Sequence, residues 1–122
     1  MDILPPSYPP PLKPEEPAYR YDSGKLRYDL IPVGPLRELA EVFTAGAEKY
    51  APDNWRKGMS FSRMIGPLFR HLEKWRSGET RDAETGCHHL AQAAWNALCL
   101  IELEFTHPEL DDRVKVEKNE NR

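Results

Sequence analysis

The segment from His89 to Phe105 constrains this chain most. Leu90, Ala91, Ala93, Ala94, Trp95, Ala97, Leu98, Leu100 and Ile101 surround most of a helix circumference, and a helix apolar nearly all round belongs in the middle of a fold. His89, Gln92 and Asn96 break the pattern, spaced i, i+3 and i+7 along one face. A buried polar side chain costs roughly 1–3 kcal/mol when it has no partner. Three in a row require polar counterparts inside the bundle. They form either a satisfied structural network or the wall of an active site.

The rest of the chain reads as helices around that segment. A first helix is expected from Pro35 to Tyr50, with Leu36, Leu39, Ala40, Phe43 and Ala47 as its core stripe. A second is expected from about Ser60 to Arg76, on Phe61, Met64, Ile65, Leu68, Leu72 and Trp75. Ser60 is its expected N-cap, Pro67 is expected to kink or interrupt it, and Gly78 ends it. Leu26, Tyr28 and Leu30 alternate with Lys25, Arg27 and Asp29, which is strand-like, but this run is too short to predict a sheet. The expected fold is all-α.

Seven of the 12 prolines precede residue 18. Residues 1–22 therefore read as an extended arm, 23–106 as the helical domain, and 107–122 as a charged, flexible tail. The formal net charge of −3 gives no basic field for nucleic acid. No apolar run approaches the roughly 18 residues of a membrane span, and no secretory signal is evident. On one helix, Cys87 and Cys99 would stand about 18 Å apart at 1.5 Å per residue, too far to pair. Reduced thiols suit a cytoplasmic protein.

Chemistry concentrates at three places. Glu79, Asp82 and Glu84 occupy the loop before His88 and His89, and His71 lies on the incoming helix. A hairpin of the second and third helices would bring these residues together. Carboxylates beside imidazole suit a divalent cation, Mg²⁺ on oxygen ligands or Mn²⁺ on a mixed set. His71 is then a candidate base or water-orienting group. On the first helix Glu38, Glu41 and Glu48 share a flank, either a solvated charge run or, in an oligomer, a second carboxylate set. Lys49, Tyr50, Asn54 and Trp55 have the chemistry of a nucleotide pocket, with lysine for phosphate and an aromatic ring for the base. Lys25, Arg27 and Arg70 are further phosphate candidates. The sequence contains neither a Gly-rich Walker loop nor a Cys-x-x-Cys pair.

These residues recur as an ordered series. Gly24-Lys25-x-Arg27 is followed by Gly46-Ala47-Glu48-Lys49-Tyr50 and Asn54-Trp55-Arg56-Lys57-Gly58. Then come Arg70-His71-Leu72, Gly78-Glu79, Asp82, Glu84-Thr85-Gly86 and His89-Leu90-Ala91. Over residues 23–105 the chain resembles the phage MazG-like nucleotide pyrophosphohydrolases, described as dATP/dGTP diphosphohydrolase N-terminal-domain proteins. The resemblance implies a MazG-like helical bundle that forms a homodimer or homotetramer. It implies hydrolysis of a purine nucleoside triphosphate, dGTP first, to monophosphate and pyrophosphate with Mg²⁺ or Mn²⁺. Members of this kind are linked to phages that place 2-aminoadenine in their DNA, and to the host cytoplasm. The wider superfamily pairs Glu-x-x-Glu on one helix with Glu-x-x-Asp on a later one. Glu38-Leu39-Ala40-Glu41 matches the first half, whereas the second position holds His89-Leu90-Ala91-Gln92. The ligand pool is thus Glu38, Glu41, Glu79, Asp82 and His89, with Glu79 also a catalytic candidate beside His71. Gln92 and Asn96 join the substrate-binding set. The alternative is a non-catalytic phage nucleotide-binding or adaptor protein.

Overall fold

The structure, a computed structural model, describes residues 13–116. Pro5, Pro6 and Pro9–Pro11 of the expected arm, and Glu117, Lys118 and Glu120 of the expected tail, lie outside the described residues. The chain divides into two units, Met1–Leu30 and Ile31–Arg122. In the first, the backbone turns at Lys13–Glu16 and at Asp22–Lys25. It ends in a 3-10 turn over Tyr28–Leu30. The alternation of Leu26, Tyr28 and Leu30 therefore does not mark an extended strand. Leu30 N–H donates to Arg27 O, and the Arg27 guanidinium grips Asp29 two residues on, so local bonds override the period-two pattern.

The second unit is built on three helices: α1 (Val33–Lys49), α2 (Ser62–Arg76) and α3 (His89–Thr106). Among the described residues the only strand-like pairing is an isolated antiparallel bridge between Arg81 and His88. The fold is all-α. Helix α1 begins two residues before Pro35, with the extended Pro32 as its N-cap. Helix α2 begins at Ser62 rather than Ser60 and runs through Pro67 without interruption.

Helix α3 is central and packs on both α1 and α2. His71, late in α2, meets His89 at the start of α3. Phe61 and Met64, at the start of α2, cluster with Cys99 and Leu103 late in α3. The two helices are therefore antiparallel. Phe61, Met64, Cys99 and Leu103 form the fully buried core. Phe61, expected on the apolar face of the second helix, is part of this cluster. Helix α1 joins through Phe43, whose ring stands edge-on to Trp55 and Trp95 at centroid distances of 6.4 and 6.1 Å. Such edge contacts favour aromatic quadrupoles. Both cysteines are free and buried, and Cys87 precedes α3 rather than sharing it.

Residues 107–112, expected as the first part of a flexible tail, instead form a strap over the α2 N-terminus. Pro108–Leu110 make a 3-10 turn. Leu110 O accepts from Phe61 N–H, and the Asp112 carboxylate accepts from Ser62 N–H and Oγ–H. The first N–H groups of a helix lack intrahelical acceptors, and the strap supplies them from 50 residues away. Gly58 makes room for it. At φ +85°, a Cβ there would stand 2.7 Å from Leu110 Cδ1.

Candidate metal centre

Two loop devices assemble the candidate site. At the end of α2, Gly78 takes φ +108°. Its N–H donates to Trp75 O, and Glu79 N–H donates to Lys74 O. This is the Schellman termination that glycine favours, and it delivers Glu79 beside the start of α3. Next, the chain folds back on itself between Thr80 and His89. Asp82 N–H donates to Cys87 O, Gly86 N–H to Asp82 O, and His89 N–H to Thr80 O. Gly86, at φ +76°, makes the reversal. His88 then caps α3, its Nδ1 accepting from Leu90 N–H at 3.0 Å.

The result brings together His71 from α2, Asp82 from the loop and His89 from α3. One ligand-type atom from each lies within 4.8 Å of the others. His89 is almost wholly buried, and His71 and Asp82 are half-buried. His71 Nδ1 stands 2.9 Å from His89 Nδ1, and His89 Nε2 stands 2.7 Å from Glu79 Oε1. A carboxylate accepts, so His89 carries a proton on Nε2 and turns Nδ1 toward the cluster. A carboxylate behind an imidazole is the outer arrangement common to metal-binding histidines.

The electrostatics agree with this geometry. Burial, then the neighbouring His89, pushes the His71 pKa down and favours the neutral, ligating ring. Burial acts to raise Asp82, but hydrogen bonds from Glu84 N–H and Gln92, together with the two histidines, hold it below the ordinary range. Glu79 is lowered by its bond to His89, with a further contribution from Lys74. Two imidazole nitrogens and a carboxylate fit a divalent transition ion better than Mg²⁺, which prefers oxygen throughout.

Glu38 and Glu41 lie outside this cluster. The Arg81 guanidinium binds Glu38 at 2.7 Å and also donates to Gly86 O, tying α1 to the loop. That pairing holds the Glu38 carboxyl below its usual range. Glu41 and Glu48 instead line an open groove with Thr85, Gly86 and Cys87. Gln92 and Asn96 are buried and committed inward. Gln92 Nε2 donates to Asp82 Oδ2 at 3.2 Å, and Asn96 Nδ2 donates to Gln92 O at 2.9 Å. Lys49 and Tyr50 are exposed at the end of α1, the ammonium 5.2 Å from the ring centroid. Asn54 lies in the 3-10 turn Asn54–Lys57 with Trp55, whose ring packs against the core beneath the Arg56 guanidinium. Arg70, next to His71, is exposed. Lys25 and Arg27 belong to the first unit.

Two contributors escaped the sequence reading. His88 had no role assigned, although a polar residue directly before an apolar run signals an N-cap. Thr85, which hydrogen-bonds both Cys87 N–H and Gln92, belongs to the ordered series as part of Glu84-Thr85-Gly86, but its residue type alone points to no role.

Comparison with known proteins agrees with the residue series. The chain is 33% identical over 94 residues to a Salmonella phage PMBT28 protein named dATP/dGTP diphosphohydrolase. The match covers 77% of this chain and 32% of that protein, so the chain spans about a third of the relative's length. No solved structure matches. The family described as dATP/dGTP diphosphohydrolase, N-terminal, matches residues 15–113. That span takes in all three helices, the candidate centre and the whole strap, and the chain belongs to this family.

Proposed function

We propose that this chain is a metal-dependent nucleotide pyrophosphohydrolase. In this reading it converts a purine deoxynucleoside triphosphate, dGTP first, to the monophosphate and pyrophosphate. The observation that carries the reading is the convergence of His71, Asp82 and His89, with Glu79 behind His89. The name of the phage relative supplies the nucleotide class. His71, Asp82 and His89 would hold a divalent ion, Mn²⁺ in preference to Mg²⁺, which would supply Lewis-acid polarisation of a phosphoryl oxygen and activation of the attacking water. The protein's part is to hold two imidazoles and one carboxylate toward a single point. Glu79 keeps the His89 proton on Nε2, and the exposed Arg70 guanidinium beside His71 offers phosphate a forked donor. In a phage-infected cell the reaction belongs in the host cytoplasm, and its dGMP is a fitting precursor for 2-aminoadenine nucleotides.

The reading includes assembly into a homodimer or homotetramer. Phe69, Trp75, Leu98, Ile101 and Phe105 are exposed on α2 and α3, a large apolar surface for a small domain. Symmetric self-association is the common way to cover such surface.

The test is to incubate the purified chain with a nucleotide panel and Mn²⁺ and to identify the products. Pyrophosphate and dGMP are expected. Orthophosphate as product, or no turnover by the folded, Mn²⁺-loaded protein, overturns the proposal. Tight nucleotide binding without hydrolysis would instead mark a binding or adaptor module.

A further inference from the structure

Behind Asp82 runs a chain of hydrogen bonds with one direction. Cys87 N–H donates to Thr85 Oγ1 at 3.1 Å. Having accepted there, the Thr85 hydroxyl has its own proton to give, and Gln92 Oε1 lies 3.4 Å away. Gln92 Nε2 then donates to Asp82 Oδ2 at 3.2 Å, with a longer contact to Cys87 O at 3.5 Å. Asp82 Oδ1 is separately held by Glu84 N–H at 2.9 Å. Gln92 is itself only 8% exposed, and Asn96 ties its backbone carbonyl down.

The direction matters because an amide has two unlike ends. Flipped, Gln92 would set its carbonyl oxygen against the Asp82 carboxylate, oxygen against oxygen. The Asp82 carboxylate and Cys87 O, which only accept, select the orientation that puts N–H toward them, and the Thr85 hydroxyl offers its proton to the amide oxygen left on the other side. Donors aligned in series polarise one another toward the terminal acceptor. The acceptor here is the sole carboxylate in the cluster of His71, Asp82 and His89.

We infer that Gln92 is a positioning residue that aims Asp82 at the cation site, and that Thr85 braces the Gln92 amide through its Oε1. The inference rests on the reading of His71, Asp82 and His89 as a cation site. It gives Gln92, in the polar stripe of α3, a specific task, which is orienting a ligand rather than touching substrate.

The experiment titrates Mn²⁺ into the full chain and reads free Mn²⁺ by electron paramagnetic resonance, alongside thermal melting of the metal-free protein. Gln92→Met keeps the side-chain length and removes the hydrogen bonds. It should weaken Mn²⁺ binding by roughly 10–100-fold, the usual effect of losing an outer partner. Thr85→Val, at an exposed position, should weaken binding in the same direction by less, and Thr85→Ser should restore it. A merely structural role would lower the metal-free melting temperature and leave the Mn²⁺ affinity of the folded protein intact. Wild-type affinity in both Gln92→Met and Thr85→Val overturns the inference, and Thr85→Val decides alone if Gln92→Met does not fold. Wild-type protein that binds no Mn²⁺ removes the cation site itself, an outcome distinct from wild-type binding that the variants leave unchanged.

Discussion

The two ends of α3 are buried to a similar degree by opposite means. At its C-terminal end, Cys99 and Leu103 sink into Phe61 and Met64. None of these four side chains depends on a hydrogen-bond partner, and close packing supplies the stability. At its N-terminal end, His89, Gln92 and Asn96 are as deeply covered, yet each depends on a named partner. An apolar side chain of similar volume would remove that dependence, and such replacements are often neutral or stabilising. One end of the helix is built for stability. The other accepts costlier chemistry, which makes sense when the groups have work to do.

Substitutions can break or sharpen that contrast. The largest effect is expected at the polar end. Asp82→Ala removes the only carboxylate of the cluster and should abolish Mn²⁺-dependent turnover, roughly 10²-fold or more, while circular dichroism shows the helices retained. Near-normal activity would remove Asp82 from the site. Next comes the apolar end. Leu103→Ala empties a fully buried position and should cost about 2–5 kcal/mol in urea unfolding. The folded fraction should keep its Mn²⁺ affinity, and a lost affinity would mean that the two ends are not independent.

A smaller effect is expected at the strap. Gly58→Ala forces a side chain into φ +85° and against Leu110, which should cost about 1–3 kcal/mol. Protection of the Ser62 amide from hydrogen exchange should fall with it. The smallest effect is a pH dependence. The Ser62 hydroxyl and amide hold the Asp112 carboxyl below its ordinary value of 3.8. A depressed folded-state value contributes stability that is present above 3.8 and lost as the pH falls through the lower, folded value. The protection of the Ser62 amide, relative to its intrinsic exchange rate, should therefore fall on acidification below about pH 4, and Asp112→Asn should remove that step. A step that persists in Asp112→Asn would assign it elsewhere.

The comparison also shows what the sequence makes legible. The helix from His89 and its polar stripe were readable because burial and spacing are local properties. The meeting of His71 with the Asp82 loop followed from a short connection between two helices. The engagement of Glu38 by Arg81 was not readable, since the partners lie 43 residues apart and either residue alone looks like ordinary surface charge. Residues 107–112 read as part of a solvated tail because Asp111, Asp112 and Lys115 are charged. The first open amides of α2 gave one of those charges a partner that no local pattern reveals. Tyr28–Leu30 misled in the other direction, because an alternation of three side chains is weaker than one guanidinium–carboxylate grip.

The three tryptophans divide between the regions contrasted above. Trp75 lies one helical turn after His71 on the same face of α2 and is exposed, whereas Trp55 and Trp95 are half-buried around Phe43. Indole emission thus carries a separate readout for each region. A soluble quencher such as acrylamide should extinguish Trp75 first and leave a blue-shifted remainder. With Trp75 replaced by phenylalanine, the remaining fluorescence would track the opening of the apolar region alone.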